Sequence, residues 1–334
     1  MPLPVGKLPA ESLERLLRLC RHDPRVVVGP GIGRDAAALA FGDRIVVAKT
    51  DPITFATDRI GWYAANINAN DVACLGATPR FFLAAVLLPE ATASVQMAEA
   101  IFRDIAASCE ALDVTLCGGH TEVTCGLDRP IVVGHMLGDV ARDRLVTNEA
   151  ARPGDDILLT KGIAIEGTAL IAREKAEEFD GRLEPARLAR ARAFLDEPGL
   201  SVVPDARAVC AAVHPRALHD PTEGGIATAV HELADAADCG AIVDADAIPI
   251  FPETHTICRH YGLDPLGLIA SGALLVATAP DDTQAALQAL ATQGIAATRI
   301  GRLTPRDEGV WLRRGGRRDP LPRFDSDEVA RLFA

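Results

Sequence analysis

The sequence predicts an α/β (α+β) protein of two domains, and three observations carry that prediction. The first is size: 334 residues, 49% of them hydrophobic, can fill two cores of ordinary dimensions. The second is order. Short β-prone runs alternate with stretches whose apolar residues recur every three to four positions, the pattern of helices laid on sheets. The third is a break: Ala151-Arg152-Pro153-Gly154-Asp155-Asp156 has the turn chemistry of a connection and divides the chain into 1–150 and 151–334.

Taken in order, Leu13, Leu16, Leu17 and Cys20 share one face of a helix over 10–20. Next comes Val28-Gly29-Pro30-Gly31-Ile32-Gly33-Arg34-Asp35, in which three glycines alternate. Glycine gains nothing from packing and loses the most backbone entropy on ordering, so this is neither a comfortable strand nor a helix. Such a turn can bring bare backbone N–H groups to an anion while the aspartate behind it holds a cation; from these residues alone an ordinary loop is the alternative. Residues 36–39 and 44–49 read as a hairpin, whose second strand is expected to stop at Pro52 and leave Asp51 at a strand end.

Residues 57–76 have helical spacing through Ile60, Ala64, Ile67, Val72 and Leu75, interrupted by Asn66, Asn68, Asn70 and Asp71. Amides and carboxylates on a buried helix need partners, because an unsatisfied one costs about 1–3 kcal/mol. They either cross-link neighbouring backbone or face a ligand. A strand over 80–88, a helix over 93–112, a strand over 114–117 running into Gly118-Gly119-His120-Thr121-Glu122, and a strand over 131–140 complete a βαβ-containing first domain.

In the second domain, a strand over 157–160 precedes Lys161-Gly162-Ile163-Ala164-Ile165-Glu166-Gly167-Thr168, where small residues let a helix begin tightly. Helices follow over 183–195, rich in Ala and Arg and so solvated, and over 205–213. His219-Asp220-Pro221-Thr222-Glu223-Gly224-Gly225 opens a helix over 226–237; a capped helix explains Thr222 and Glu223 but not the glycine pair. After Ser271-Gly272 come a strand over 273–279, a helix over 283–291, strands over 297–300 and 310–312, and a charged tail ending in a short helix.

Charge and composition narrow the function. A formal net charge of −12 opposes nucleic acid and anionic membranes, and aromatics at 4% offer no stacking platform for bases. No stretch has the length of a transmembrane helix and the N-terminus lacks the apolar run of a signal peptide, so a cytoplasmic location is expected. The eight cysteines scatter through apolar segments, as buried free thiols do, and Cys117, His120 and Cys125 lack a fourth ligand at finger-like spacing. Neither G-x-S-x-G nor the P-loop pattern occurs. The carboxylates and amides Asp35, Asp51, Asn70, Asp71, Asp220 and Glu223 fall at expected strand ends or helix starts. Carboxylates rather than lysines beside glycine turns make sense where Mg²⁺ bridges them to a phosphate chain, since a helix N-terminus adds only about 0.3–1 kcal/mol.

These segments resemble the superfamily of aminoimidazole ribonucleotide (AIR) synthetase, the hydrogenase-maturation protein HypE, selenophosphate synthetase and thiamine-monophosphate kinase. The matching stretches are Gly31-Ile32-Gly33-Arg34-Asp35-Ala36-Ala37, Thr50-Asp51, 70–79 from Asn70-Asp71-Val72-Ala73, Gly118-Gly119-His120-Thr121, 219–225 and Ala270-Ser271-Gly272-Ala273, in family order from about 28 to 300. The resemblance implies an N-terminal ATP-binding domain with a mixed sheet that forms a homodimer, a C-terminal α+β domain, and MgATP in the cleft between them. It further implies metal and triphosphate ligation by Asp35, Asp51 and Asp71, with Asn70 beside them and Gly31 and Gly33 as backbone cradle. Asp220 falls where the acceptor is expected, and His120 is a second candidate for the chemistry. The expected activity is ATP- and Mg²⁺-dependent phosphorylation of a small substrate, or its dehydration through a phosphorylated oxygen; a nucleotide-binding partner without turnover and a thiamine-monophosphate kinase-like enzyme are the alternatives. HypE carries its substrate on a C-terminal cysteine, whereas the last cysteine here is Cys258, so that route is not expected. Arg34 replaces the first of two acids common in relatives, and Gly119-His120 replaces the Gly-Asp of HypE.

Overall fold

The computed structural model describes residues 8, 10–31, 34, 36–179 and 183–333. In chain order the first elements are α1 (Ala10–Leu17), β1 (Val26–Val28), β2 (Ala37–Phe41), β3 (Arg44–Ile53), α2 (Ile60–Cys74), β4 (Thr78–Pro89), α3 (Val95–Leu112), β5 (Thr115–Thr124) and β6 (Ile131–Ala141). They continue with β7 (Asp156–Thr160), α4 (Ile165–Glu174), α5 (Pro185–Arg192), α6 (Val203–Ala212), β8 (Ala217–His219), α7 (Gly225–Ala236), β9 (Cys239–Asp244), α8 (Pro252–Tyr261), β10 (Leu275–Thr278), α9 (Thr283–Thr292), β11 (Ala297–Pro305), β12 (Val310–Arg314), β13 (Arg317–Pro320) and α10 (Ala330–Phe333). The architecture is α/β, with mixed sheets and helices in two compact units. One unit comprises Asp23–Gly29 and Asp35–Leu145; the other comprises Met1–His22, Pro30–Arg34 and Val146–Ala334. The main division falls between Leu145 and Val146, and two N-terminal stretches group with the C-terminal half.

The first unit is built on a six-stranded sheet in the order β1-β2-β3-β6-β4-β5. The unit β4-α3-β5 is the expected parallel crossover, and Ser94 caps α3 by accepting from Met97 N at 3.1 Å. Helix α2 is buried on nearly every side, Trp62 excepted. Glycine on β6 permits this: a Cβ on Gly134 would collide with the Asn68 amide, and one on Gly138 with Val72.

Two expectations are corrected. Strand β3 does not stop at Pro52, which pairs with Val133, so Asp51 lies within the strand. Among the described residues, the strand beyond Ala48 has β6 as its one neighbour, and a proline is tolerated where one side carries no ladder. Likewise the strand expected over 114–117 is longer: Gly118 to Glu122 lie in the middle of β5, where a Cβ on Gly119 would strike the Ala84 carbonyl of β4.

The second unit contains a seven-stranded sheet ordered β13-β12-β9-β11-β7-β10-β8, antiparallel except for β12 beside β9. Ile226, Val230 and Leu233 recur on one face of α7 and join Ile157, Leu159, Leu275, Ile300 and Leu303 in one core. Each large aliphatic side chain so buried contributes about 1.5–3 kcal/mol.

Candidate functional site

Along β3 the side chains of Ile45 and Val47 are buried on the face that continues, two residues at a time, into Lys49 and Asp51. The core face of this strand therefore turns ionic toward its end. Asp71, in the last turn of the buried α2, meets it there: Lys49 Nζ is 2.8 Å from Asp71 Oδ2 and 3.1 Å from Asp51 Oδ2. A carboxylate in the last turn of a helix faces the negative end of the helix dipole, and Asp71 is 3% exposed, so it needs a nearby cation. Lys49 supplies one. Sequence reading missed this lysine, although its two-residue spacing from Asp51 was the available signal.

The asparagines divide between the two roles open to them. Asn68 holds Asp51 from the backbone side, accepting from Asp51 N at 2.9 Å and donating to Asp51 O at 3.3 Å and Ala64 O at 2.8 Å. Asn66 ties α2 to α3, donating to Ser108 Oγ at 2.8 Å and to Trp62 O at 2.9 Å. Both are cross-links. Asn70 is fully buried next to Asp71.

Of the residues expected to cradle phosphate and metal, Gly33 and Asp35 lie outside the described residues. Gly31 is described, and a Cβ on it would come 2.8 Å from Arg34 Cδ; its bareness makes room for that side chain. Arg34 in turn pairs with Glu149 at 3.2 Å. His120 is not brought to the carboxylates. It is on β5, with β6 and β4 intervening before β3, about 14 Å away at ordinary strand spacing. There, well exposed, it pairs with Glu122 at 3.1 Å. Among the described residues no group of three His, Cys, Asp or Glu side chains is arranged to hold a metal ion. The pair that does converge, Asp51 and Asp71, offers hard oxygen donors around a point already occupied by a cationic nitrogen, which fits Mg²⁺ chemistry. Cysteine burial is mixed: Cys20, Cys117 and Cys125 are exposed, against the expectation of buried thiols.

In the C-terminal unit, β8 hands over to α7 through Asp220 and Glu223. Gly224 and Gly225 have φ of 76° and 60°, and a Cβ on Gly225 would come 2.6 Å from Leu266 O. The glycine pair serves this left-handed close approach. The anion at the helix start is internal: Asp327 accepts from Gly224 N at 2.7 Å, Val329 N at 2.7 Å and Ile269 N at 3.2 Å. Asp220 is 1% exposed, and His219 contacts Glu232 of α7 at 2.9 Å. Sequence reading also passed over Glu166 in the first turn of α4. Burial pushes its carboxyl up to about 8; the Ser271 hydroxyl beside it pulls the other way, and Glu223, Asp327 and Asp220 add to the rise.

The chain is similar to proteins of known family. The carbamoyl dehydratase HypE of Cupriavidus necator is 31% identical over 279 residues, which cover 80% of this chain and 76% of that one. A putative hydrogenase expression/formation protein of Methanocaldococcus jannaschii is 28% identical over 317 residues, 89% and 90% of the respective chains. A crystal structure of HypE in complex with ATP shares the fold with a TM-score of 0.73 at 22% identity, covering 95% of this chain and 91% of the other. Residues 33–140 match the N-terminal domain of the AIR synthase related proteins and 152–312 their C-terminal domain, and the chain belongs to that family.

Proposed function

We propose that the protein is an ATP- and Mg²⁺-dependent enzyme that phosphorylates an oxygen of a small substrate, either as the end product or to let that oxygen depart in a dehydration. The observation that carries this reading is the Asp51–Lys49–Asp71 group in a chain of this family. The similarity to carbamoyl dehydratases supports the dehydration branch. Asp51 and Asp71 would hold Mg²⁺, which when bound neutralises phosphate charge and orients the chain for transfer. With the metal there, the Lys49 ammonium would be available to a phosphate oxygen. Asn68 keeps Asp51 at a fixed height on β3 through two backbone hydrogen bonds, so the carboxylates need little rearrangement. Asp220, buried in the C-terminal unit, is the candidate base for the acceptor.

The same reading makes the protein a cytoplasmic homodimer. No described helix is long and apolar enough to cross a membrane. The edge strand β5 is largely exposed, with Val123 at 59% and Phe81 of β4 at 48%, an apolar surface suited to a second copy. Titration calorimetry with MgATP tests the function. Micromolar binding to the native protein, lost in Asp71→Ala with the fold retained by circular dichroism, is expected; neither heat nor a rise in melting temperature with MgATP overturns it.

A further inference from the structure

Resting on the reading of Asp220 as an acceptor-side residue, a neighbouring cluster in the C-terminal unit defines what that acceptor presents. Glu166 is the second residue of α4, two after Ala164, whose φ of 57° is left-handed, and it is 5% exposed. Its Oε2 has no hydrogen-bond partner, and neither has the hydroxyl of the fully buried Ser271 beside it. The groups facing it come from every side: Asp220 and Glu223 from the β8–α7 turn, Asp327 from the C-terminal segment, and Ser271 from the loop before β10. None of these is cationic. Asp327 is satisfied by three backbone N–H groups, whereas Glu166 Oε2 and the Ser271 hydroxyl, which lie against each other, have no other hydrogen-bonding group directed at them among the described residues.

We propose that Glu166 and Ser271 form a hydrogen-bond-donating subsite that takes an uncharged carbonyl or hydroxyl oxygen of the acceptor, with Asp220 as the accepting neighbour. A desolvated carboxyl among other carboxyls and without a cation keeps its proton. Burial and those neighbours hold Glu166 neutral up to about pH 8, so near neutrality it carries an O–H to donate. An acceptor that is itself anionic is repelled by Asp220 and Glu223, whereas an uncharged oxygen satisfies the donors without that repulsion. The subsite thus selects by charge as well as by shape.

Two measurements on the full-length protein test this. Carboxyl resonances of ¹³C-glutamate-labelled protein are titrated, with the Glu166 signal identified by its loss in Glu166→Gln. A midpoint near 8 is expected; one below 6 overturns the proposal. Crystals near pH 7 are soaked in acetamide or, separately, in acetate at equal concentration. Acetamide oxygen bound at Glu166 and Ser271, with acetate absent, is expected; acetate bound, or neither, overturns it. MgATP calorimetry on the same protein is independent of both results, so failure of the nucleotide reading is told apart from failure of the subsite.

Discussion

Lys49 shows how one side chain sets the character of the nucleotide-side group. It is the cation for two carboxylates, one of them almost wholly buried, so its removal leaves uncompensated negative charge. Lys49→Ala should lower unfolding free energy by about 3–5 kcal/mol, as loss of one partner of a buried pair does. Millimolar Mg²⁺ should recover a large part of that loss in a denaturant melt of the variant while changing the wild type little; no recovery would remove Asp51 and Asp71 as a cation site. Glu166 gives the second residue-scale prediction. Its folded-state pKa of about 8 lies above the ordinary 4.5, so the native state holds an extra proton between those values. The stability contributed by Glu166 is therefore full below about pH 4.5 and is lost as pH rises to about 8. Glu166→Gln should match the wild type near pH 4 and exceed it by about 1–3 kcal/mol at pH 8, read from urea melts across that range. The sequence singles out Asp51 and Asp71 as carboxylates near glycine- and asparagine-rich segments, and the structure brings those two to one lysine. Lys49 and Glu166 were not legible: a lysine in a strand and a glutamate in a helix are ordinary until burial is known. Arg34 reads as an odd departure in the sequence, and its pairing with Glu149 depends on a contact across more than a hundred residues.

The start of α7 is closed by another part of the chain. Asp327, far along the sequence, supplies the anion at that helix N-terminus and binds three backbone N–H groups, two of them outside its own segment. Asp264 N donates to Glu328 at 2.8 Å, which anchors the same segment a second time. Asp327→Ala should cost about 2–4 kcal/mol, the range for charge-assisted bonds made to buried backbone. Amide exchange should quicken at Gly224 and Ile269 while β7 and β10 stay protected; uniform quickening would mean that the clasp is not local. Long periodic elements such as α3 and α7 were legible from their apolar spacing. Helix α8 was not, since Thr254, His255, Thr256 and His260 are poor helix formers, although Pro252 at its first position and Gly262 with φ of 64° just past its end mark its bounds. The length of β5 was hidden because two glycines past Cys117 interrupt its β-prone run, and only the Ala84 carbonyl of the neighbouring strand reveals why Gly119 is bare.

At the scale of the molecule, the proposed dimer makes a simple demand. Sedimentation should give about twice the 35.3 kDa chain mass, and Val123→Arg on the exposed β5 edge should shift the mass toward one chain with MgATP affinity per chain falling no more than a few fold. An unchanged mass would move the contact elsewhere. The α/β class and the two sheets follow from the ordering of apolar runs, but the interleaving of the units does not, because it depends on which distant partners short segments choose. That interleaving bears on synthesis. The described residues up to His22, with Pro30, Gly31 and Arg34, are made before Asp35–Leu145, yet they group with residues from Val146 onward, which are made after it. The unit containing Asp35–Leu145 can close early, while the other waits with its opening pieces already made. A fragment starting at Val146 lacks those pieces but keeps the whole seven-stranded sheet, so it should still melt cooperatively by itself, with a peptide of the first 34 residues supplied in trans changing its melting temperature little.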